Sequence, residues 1–470
     1  MNKLFKRLAP AVALVLAGCA SFSPDGGMGK VSDLTRERTG QSVVAQRSQT
    51  EADNARLRVA EILREPLAAD TAVELALLNN RGLQASFSRL GIAEADLVEA
   101  GRLRNPVFSF GRLALGGGAL EIERSVVFDV LSLLTLPMAR QVQQRNFEQA
   151  QFQAAFDAVG IAWEARRAWF DAVAAQELVR YFGQVKEAAE ASSELARRML
   201  MAGNFNKLAQ LREQAFHADA TSGLARAQQQ AVVERERLTR LLGLSAEQAG
   251  FKLPERLPDL PRQPIEPANA EQTALEKRLD VLMARRSMEA TAKSLGLTKA
   301  TRFVDALELG YQNRSETGEP RANGYTVELP LPLFDFGSVR TARAEATYLQ
   351  AVHRTAEVAL NARSEVRQSY SAYRTAYDLA RHYRDEVVPL RKRISEENLL
   401  RYNGMLIGVF ELLADSGEQV RSVAASVQAL RDFWVAETDL QSALTGRSPG
   451  AGSASGPSAS AAPAEGGAGH

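Results

Sequence analysis

The stretch EARRAWFDAVAAQEL, residues 164–178, returns in altered form 201 residues later as EVRQSYSAYRTAYDL, residues 365–379. Glu164, Arg166, Trp169 and Leu178 fall on Glu365, Arg367, Tyr370 and Leu379. At the same offset MAGNFNKLAQL (201–211) falls on YNGMLIGVFEL (402–412), which sets Gly203 on Gly404, Leu208 on Val409 and Leu211 on Leu412. Each half closes alike, in LTRLLG and LQSALTG. The identity is weak, but the order of features agrees throughout and marks a duplication, so each half is read as one structural repeat.

Within each half the pattern runs helix, strand pair, very long helix, break, helix. Residues 71–102 carry apolar side chains at helical spacing. From Leu120 the period becomes two: Leu120, Ile122, Val126 and Phe128 alternate with Glu121, Glu123, Ser125 and Asp129, and only Arg124 spoils the apolar side. Gly116–Gly118 is the expected turn before it, and the strand expected near Val107–Leu115 alternates poorly. In the second half Leu307, Leu309 and Tyr311 alternate with Glu308 and Gln312. After SETGEPRANG, Tyr325, Val327, Leu329 and Leu331 alternate with Thr326 and Glu328. This predicts four strands per chain of about 9–11 residues, the length of a tilted membrane-spanning strand.

Four strands cannot close a barrel, and an open edge in lipid leaves backbone groups unpaired. A membrane reading therefore demands oligomers, with eight strands as a dimer or twelve as a trimer. A soluble pair of hairpins packed on helices would show the same alternation.

The helices are long. No proline occurs between Pro137 and Pro254, so Met138–Ala202 reads as one helix of about 100 Å, followed by a return limb from Asn204 to near Gly243 of about 60 Å. Residues 269–300 add a further helix, and Pro389 predicts a kink or bulge in the long helix of the second half. The five prolines of FKLPERLPDLPRQPIEPANA (251–270) make an extended, semi-rigid connector. The resulting division is 1–18 signal peptide, 19–68 extension, 69–246 first repeat, 247–268 connector, 269–446 second repeat and 447–470 disordered tail.

Composition narrows the function classes. Lys and Arg number 57 against 56 Asp and Glu, a balance that gives no polyanion-binding surface and no expectation of a nucleic-acid partner. His217, His353 and His382 are scattered along helices, His470 is in the tail, and no Gly-rich phosphate loop or nucleophile elbow appears. We therefore expect no enzyme, no metal and no cofactor. The chain opens MNKLFKRLAPAVALVLAGCASF, a basic start followed by a short apolar run and small residues, the anatomy of a secretory signal. LAGC resembles the bacterial lipobox, with the sole cysteine, Cys19, as the lipid attachment site and first mature residue. An ordinary signal peptide with an incidental cysteine is the plainer alternative. No later segment offers about 18 consecutive uncharged apolar residues, so no transmembrane helix is expected.

The lipobox, the two repeats, Asn105–Pro106 before the first strand, LPLFDFG after the fourth, and a glycine break late in each repeat together resemble the TolC family of outer-membrane efflux channels, in its lipid-anchored branch. The resemblance covers most of residues 69–446. It implies a mainly α fold with membrane β-strands, in which two tandem repeats of long antiparallel helices carry four strands per chain. It further implies a homotrimer with a twelve-stranded barrel in the outer membrane, lipid-anchored there, and an α-helical tunnel through the periplasm. Partners would be a periplasmic adaptor and an inner-membrane transporter. Gly203 and Gly404 would mark turns at the periplasmic tip. Several members carry acids six and nine positions after the second-repeat glycine. Here those positions hold Phe410 and Leu413, with Glu411 and Asp415 as the neighbouring acids. An apolar constriction at Phe410 and Leu413 is therefore expected, although core packing between tip helices would use the same residues. The competing class is a periplasmic adaptor or structural lipoprotein with coiled-coil hairpins. Replacing Cys19 by Ser is expected to abolish incorporation of labelled palmitate and to leave the signal uncleaved at this site, read by mass spectrometry of the membrane fraction.

Overall fold

The computed structural model describes residues 21–114, 119–303, 306–330 and 334–446, with the side chains at 409–411, 413 and 414 also outside the description. Cys19, the turn at Gly116–Gly118 and the 447–470 tail therefore lie outside the described residues. In chain order the elements are α1 (Met28–Thr39), α2 (Gln49–Ile62), α3 (Ala69–Asn79), α4 (Arg81–Ala100), β1 (Val107–Ala114), β2 (Leu120–Asp129), α5 (Val130–Met201) and α6 (Lys207–Leu242). There follow α7 (Ala270–Lys277), α8 (Leu279–Ala300), β3 (Glu308–Glu316), β4 (Ala322–Glu328), α9 (Ser338–His382), a π-helical turn (Tyr383–Val387), α10 (Val388–Asn403) and α11 (Val409–Thr445). No helix among the described residues is long and apolar enough to cross a membrane.

The chain forms two compact units, each assembled from both halves of the sequence. One comprises Met1–Arg64, Glu74–Ala162 and Leu279–Leu360, and the other Glu65–Val73, Trp163–Arg278 and Asn361–His470.

The first unit contains the only sheet among the described residues, antiparallel and ordered β1-β2-β3-β4. The β2–β3 pairing joins strands distant in sequence, with Val126 opposite Tyr311 and Arg124 opposite Asn313. β4 ends at Glu328, short of the expected Leu331, because Pro330 has no N–H to give a ladder. The long helix starts earlier than the proline boundary suggested. Asp129 caps it, accepting from the backbone N–H of Ser132 at 2.9 Å. α5 thus runs 72 residues with Pro137 inside it, about 108 Å of helix. The helix expected over 71–102 is broken at Asn80, whose side chain caps α4 by accepting from Leu83 N–H at 3.0 Å.

In the second unit the motif that opened the sequence reading becomes core. Trp169 and Phe170 pack edge to face, Phe170 stacks on Trp434 at 5.3 Å, and Phe433 lies against Trp434, Tyr373 and Tyr377. Each such pair adds about 0.5–1.5 kcal/mol beyond area burial. The proline-rich connector is bound along this core. Phe251, Leu253, Leu257 and Leu260 are buried. Its backbone polar groups are taken up by helix side chains: Tyr373 Oη accepts from Ile265 N–H at 2.7 Å, Tyr377 Oη donates to Arg262 O at 2.9 Å, and Trp434 Nε1 donates to Pro258 O at 3.0 Å. The helix expected over 269–300 is interrupted at Arg278, extended at ψ 129°. Arg278 is 1% exposed, with Nη2 at 2.8 Å from Glu365 and Nη1 donating to Ala443 O at 3.2 Å.

Two ion pairs are spaced as the sequence repeat is: Arg166 with Asp70 at 3.2 Å, and Arg367 with Glu271 at 3.1 Å. Beyond them, in the second half, comes the π-helical turn, where Val388 N–H donates to Tyr383 O. A π turn accommodates one extra residue in a helix. It ends two residues before Pro389, whose missing N–H would interrupt an α-helical ladder there in any case.

Candidate functional site: the sheet face and the two helical turns

The strand register sorts the sheet into two faces. One carries Glu121, Glu123, Asp129, Glu308, Gln312, Arg314, Glu316 and Glu328. On it Arg314 pairs with Glu121 and lies near Glu316. The opposite face carries Phe108, Phe110, Val126, Phe128, Leu309, Tyr311, Tyr325 and Val327. Tyr311 and Tyr325 stand directly opposite each other, ring centroids 5.7 Å apart, and Tyr325 is 87% exposed. Large apolar side chains of a folded chain do not gather on one exposed sheet face without something apolar to meet. β1 and β4 are the outer strands, and neither has a second strand partner among the described residues.

Glycine on the charged face permits close packing across strands. A Cβ at Gly310 would stand 2.2 Å from Thr326 Oγ1, the residue opposite. Over the sheet lies a hollow of about 540 Å³, lined by the row Phe110, Arg124, Asn313 and Asn323 and by the rows on either side.

The two helical turns belong to the second unit. After α5, Gly203 sits at φ +75°, with Asn204 N–H donating to Met199 O and Gly203 N–H to Leu200 O. This pair of bonds is a Schellman stop, which places a left-handed residue after the helix. Asn206 then caps α6, accepting from Ala209 N–H at 2.7 Å. After α10 the same two bonds recur, from Leu406 N–H to Arg401 O and from Met405 N–H to Tyr402 O. The left-handed residue is Met405, at φ +59°. Gly404 caps the helix at an ordinary φ of −78°, so it is not the conformational partner of Gly203. Gly408 occupies the N-cap position of α11, as Asn206 does for α6, but without a side-chain cap bond. The turns thus correspond at a spacing of 202 residues, one more than the ion pairs, and the π turn between them holds the added residue.

At the corrected spacing Phe410 and Leu413 stand for Leu208 and Leu211, and Asp415 for Glu213. The side chains of Phe410, Glu411 and Leu413 lie outside the described residues. Asp415 is 8% exposed, and among the described residues no hydrogen bond reaches its Oδ2. Glu213 is 2% exposed. Burial pushes its carboxyl above the usual range, partly offset by the Ser192 hydroxyl, which donates at 2.9 Å. The turn after α10 is apolar and open, with Met405 93% and Leu406 78% exposed. Among the described residues no three His, Cys, Asp or Glu side chains are grouped to hold a metal.

Three solved structures show what this architecture is. The Campylobacter jejuni CmeC outer membrane channel superimposes with a TM-score of 0.71 at 15% identity, covering 80% of this chain and 85% of that one. The outer-membrane channel OprN gives 0.69 at 20% identity, with 81% and 90% covered. The outer membrane protein VceC of Vibrio cholerae gives 0.67 at 16%, with 80% and 95% covered. The fold is that of the outer-membrane channels. Residues 271–395 match the family model described as outer membrane efflux protein, in line with the TolC-family resemblance. None of the curated proteins matches the chain.

Within this channel fold, sequence reading missed Met405, Glu213 and the Asn313–Asn323 pair. Asn206 carried a legible signal, an Asn immediately before a helical run. Met405 carried none, since methionine has no preference for left-handed backbone. Three substitutions separate the two turns. Gly203→Ala is expected to lower stability by about 1 kcal/mol, and Met405→Gly to raise it by about 1 kcal/mol. Gly404→Ala should change it by less than about 0.5 kcal/mol, since a Cβ there meets nothing closer than 3.5 Å. Urea unfolding of the detergent-solubilised protein measures all three.

Proposed function

We propose that the protein is the outer-membrane channel of a tripartite export system, a passive conduit for substrates delivered by an inner-membrane pump through a periplasmic adaptor. Three copies close a twelve-stranded barrel, each giving one four-stranded sheet, and their helices enclose a tunnel in the periplasm. The observation that carries this reading is the sheet: one exposed apolar face, one charged face, and two outer strands without a further partner. In lipid every backbone group must be paired, so such a sheet persists only when neighbouring copies supply the missing strands. Cys19 is lipidated and ties the chain to the outer membrane. The two halves are tandem repeats, as the ion pairs at 201 and the turns at 202 support. The domain limits of the sequence reading, 69–246 and 269–446, are retained as repeat limits.

The turns at Gly203 and Met405 form the periplasmic tip. There Phe410 and Leu413, repeat counterparts of Leu208 and Leu211, narrow the tunnel by packing and water exclusion. The burial of Asp415 supports this over an acidic ring. The adaptor alternative has no use for a single sheet joining strands from both halves.

Planar-bilayer recording tests the reading. The purified protein should form conducting channels, and Phe410→Ala with Leu413→Ala should increase open-state conductance and antibiotic entry into cells. A protein that conducts nothing overturns the channel. Conductance unchanged in the double variant overturns the constriction alone.

A further inference from the structure

Two arginines interrupt the apolar sheet face, and their surroundings differ from those of the arginine on the charged face. Arg314 is neutralised by Glu121. Arg112 and Arg124 are exposed, and neither has a carboxylate partner among the described residues. They lie two rows apart in the ladder, Arg124 opposite Phe110 and Arg112 opposite Ile122, toward the end of the sheet remote from the helices. Arg124 is held in place: its Nη1 donates to Asn313 Oδ1 at 3.0 Å, and Asn313 Nδ2 donates to Asn323 Oδ1 at 2.7 Å. Tyr311 Oη donates to the same Asn323 oxygen at 3.0 Å. This chain of bonds uses one donor of a guanidinium that has five, leaving the rest directed at whatever covers the face.

We infer that Arg112 and Arg124 form a binding site for the phosphate of an anionic lipid headgroup in the leaflet nearer the β1–β2 and β3–β4 turns. The inference rests on the barrel reading, in which this face meets lipid. Arginine is costly at the bilayer midplane and inexpensive at headgroup level. The tyrosine pair at Tyr311 and Tyr325, two rows from Arg124 toward the helices, marks the interface between tails and headgroups, where tyrosine concentrates. A guanidinium fork matches a phosphate in both geometry and charge, and a carboxylate-free surround leaves that match unopposed.

Native mass spectrometry of the detergent-solubilised full chain tests the site, with phosphatidylglycerol as the probe and phosphatidylcholine as the comparison. The wild-type protein should retain phosphatidylglycerol preferentially. Arg112→Gln with Arg124→Gln should weaken retention at least about tenfold, the loss of one charge-assisted contact or more. Arg314→Gln should leave it unchanged. Equal retention by wild type and the double variant overturns the site, as does an equal loss in Arg314→Gln. Displacement by inorganic phosphate at the same concentration overturns the lipid assignment in favour of a free anion. Conductance of the same preparations keeps the two readings apart: a conducting double variant with unaltered lipid retention removes the phosphate site and leaves the channel.

Discussion

An unpaired strand edge beside an apolar face is the constraint on which the rest of this architecture depends. β1 and β4 each present one row of N–H and C=O groups without a strand partner among the described residues. In hydrocarbon each such group costs several kcal/mol, and no side chain on these strands can repay a whole row. Covering the edges with a second copy of the same chain satisfies them with the bonds the sheet already uses. Antiparallel order makes this geometrically direct, since β4 of one copy meets β1 of the next in the same sense as β3 meets β4. A closed ring of copies, such as the proposed trimer, would satisfy these edges with backbone bonds alone.

The second unit is built on an aromatic cluster drawn from both repeats, bound along one side by the proline-rich connector. At the ion pairs Arg166–Asp70 and Arg367–Glu271 the repeats run at one offset, and at the turns they run at another. The π turn at Tyr383–Val387 takes up the difference, placing one more residue between Arg367 and Met405 than lies between Arg166 and Gly203. Its place before Pro389 couples two local departures from α geometry into one short segment, so that the remaining ladder stays regular on both sides.

Much of this was legible in the sequence, and the reasons for the gaps are local. β2 and β3 alternate cleanly because one face is charged and the other apolar, and both appear where the period of two placed them. β1 alternates poorly, with Val107 and Leu113 on the charged face, yet still forms, because its partner β2 fixes the register. A boundary at Pro137 places the start of α5 too late, whereas the Asp129 cap begins the helix before it. The break at Arg278 left no signal, as it depends on Glu365 and the Ala443 carbonyl, both far away in sequence. At the second turn an unchanged offset of 201 points to Gly404, whereas the added residue of the π turn moves the left-handed position to Met405. A one-residue insertion inside a helix shifts every later correspondence and cannot be seen in hydrophobic period alone.

Inter-subunit cross-linking tests the central claim most directly. Single cysteines placed in β1 and β4 of one chain, at Ser109 and Thr326 and at neighbouring positions along both strands, sample the pairing of β4 with β1 of the next copy. The one native cysteine, Cys19, has its thiol taken up by lipid in the proposed reading, so oxidation of the introduced cysteines should yield covalent trimers at one register and its two-residue repeats. Single-cysteine controls should remain monomers. Cross-linking that stops at dimers, or none at any register along both strands, would contradict closure of a barrel by three copies of this sheet.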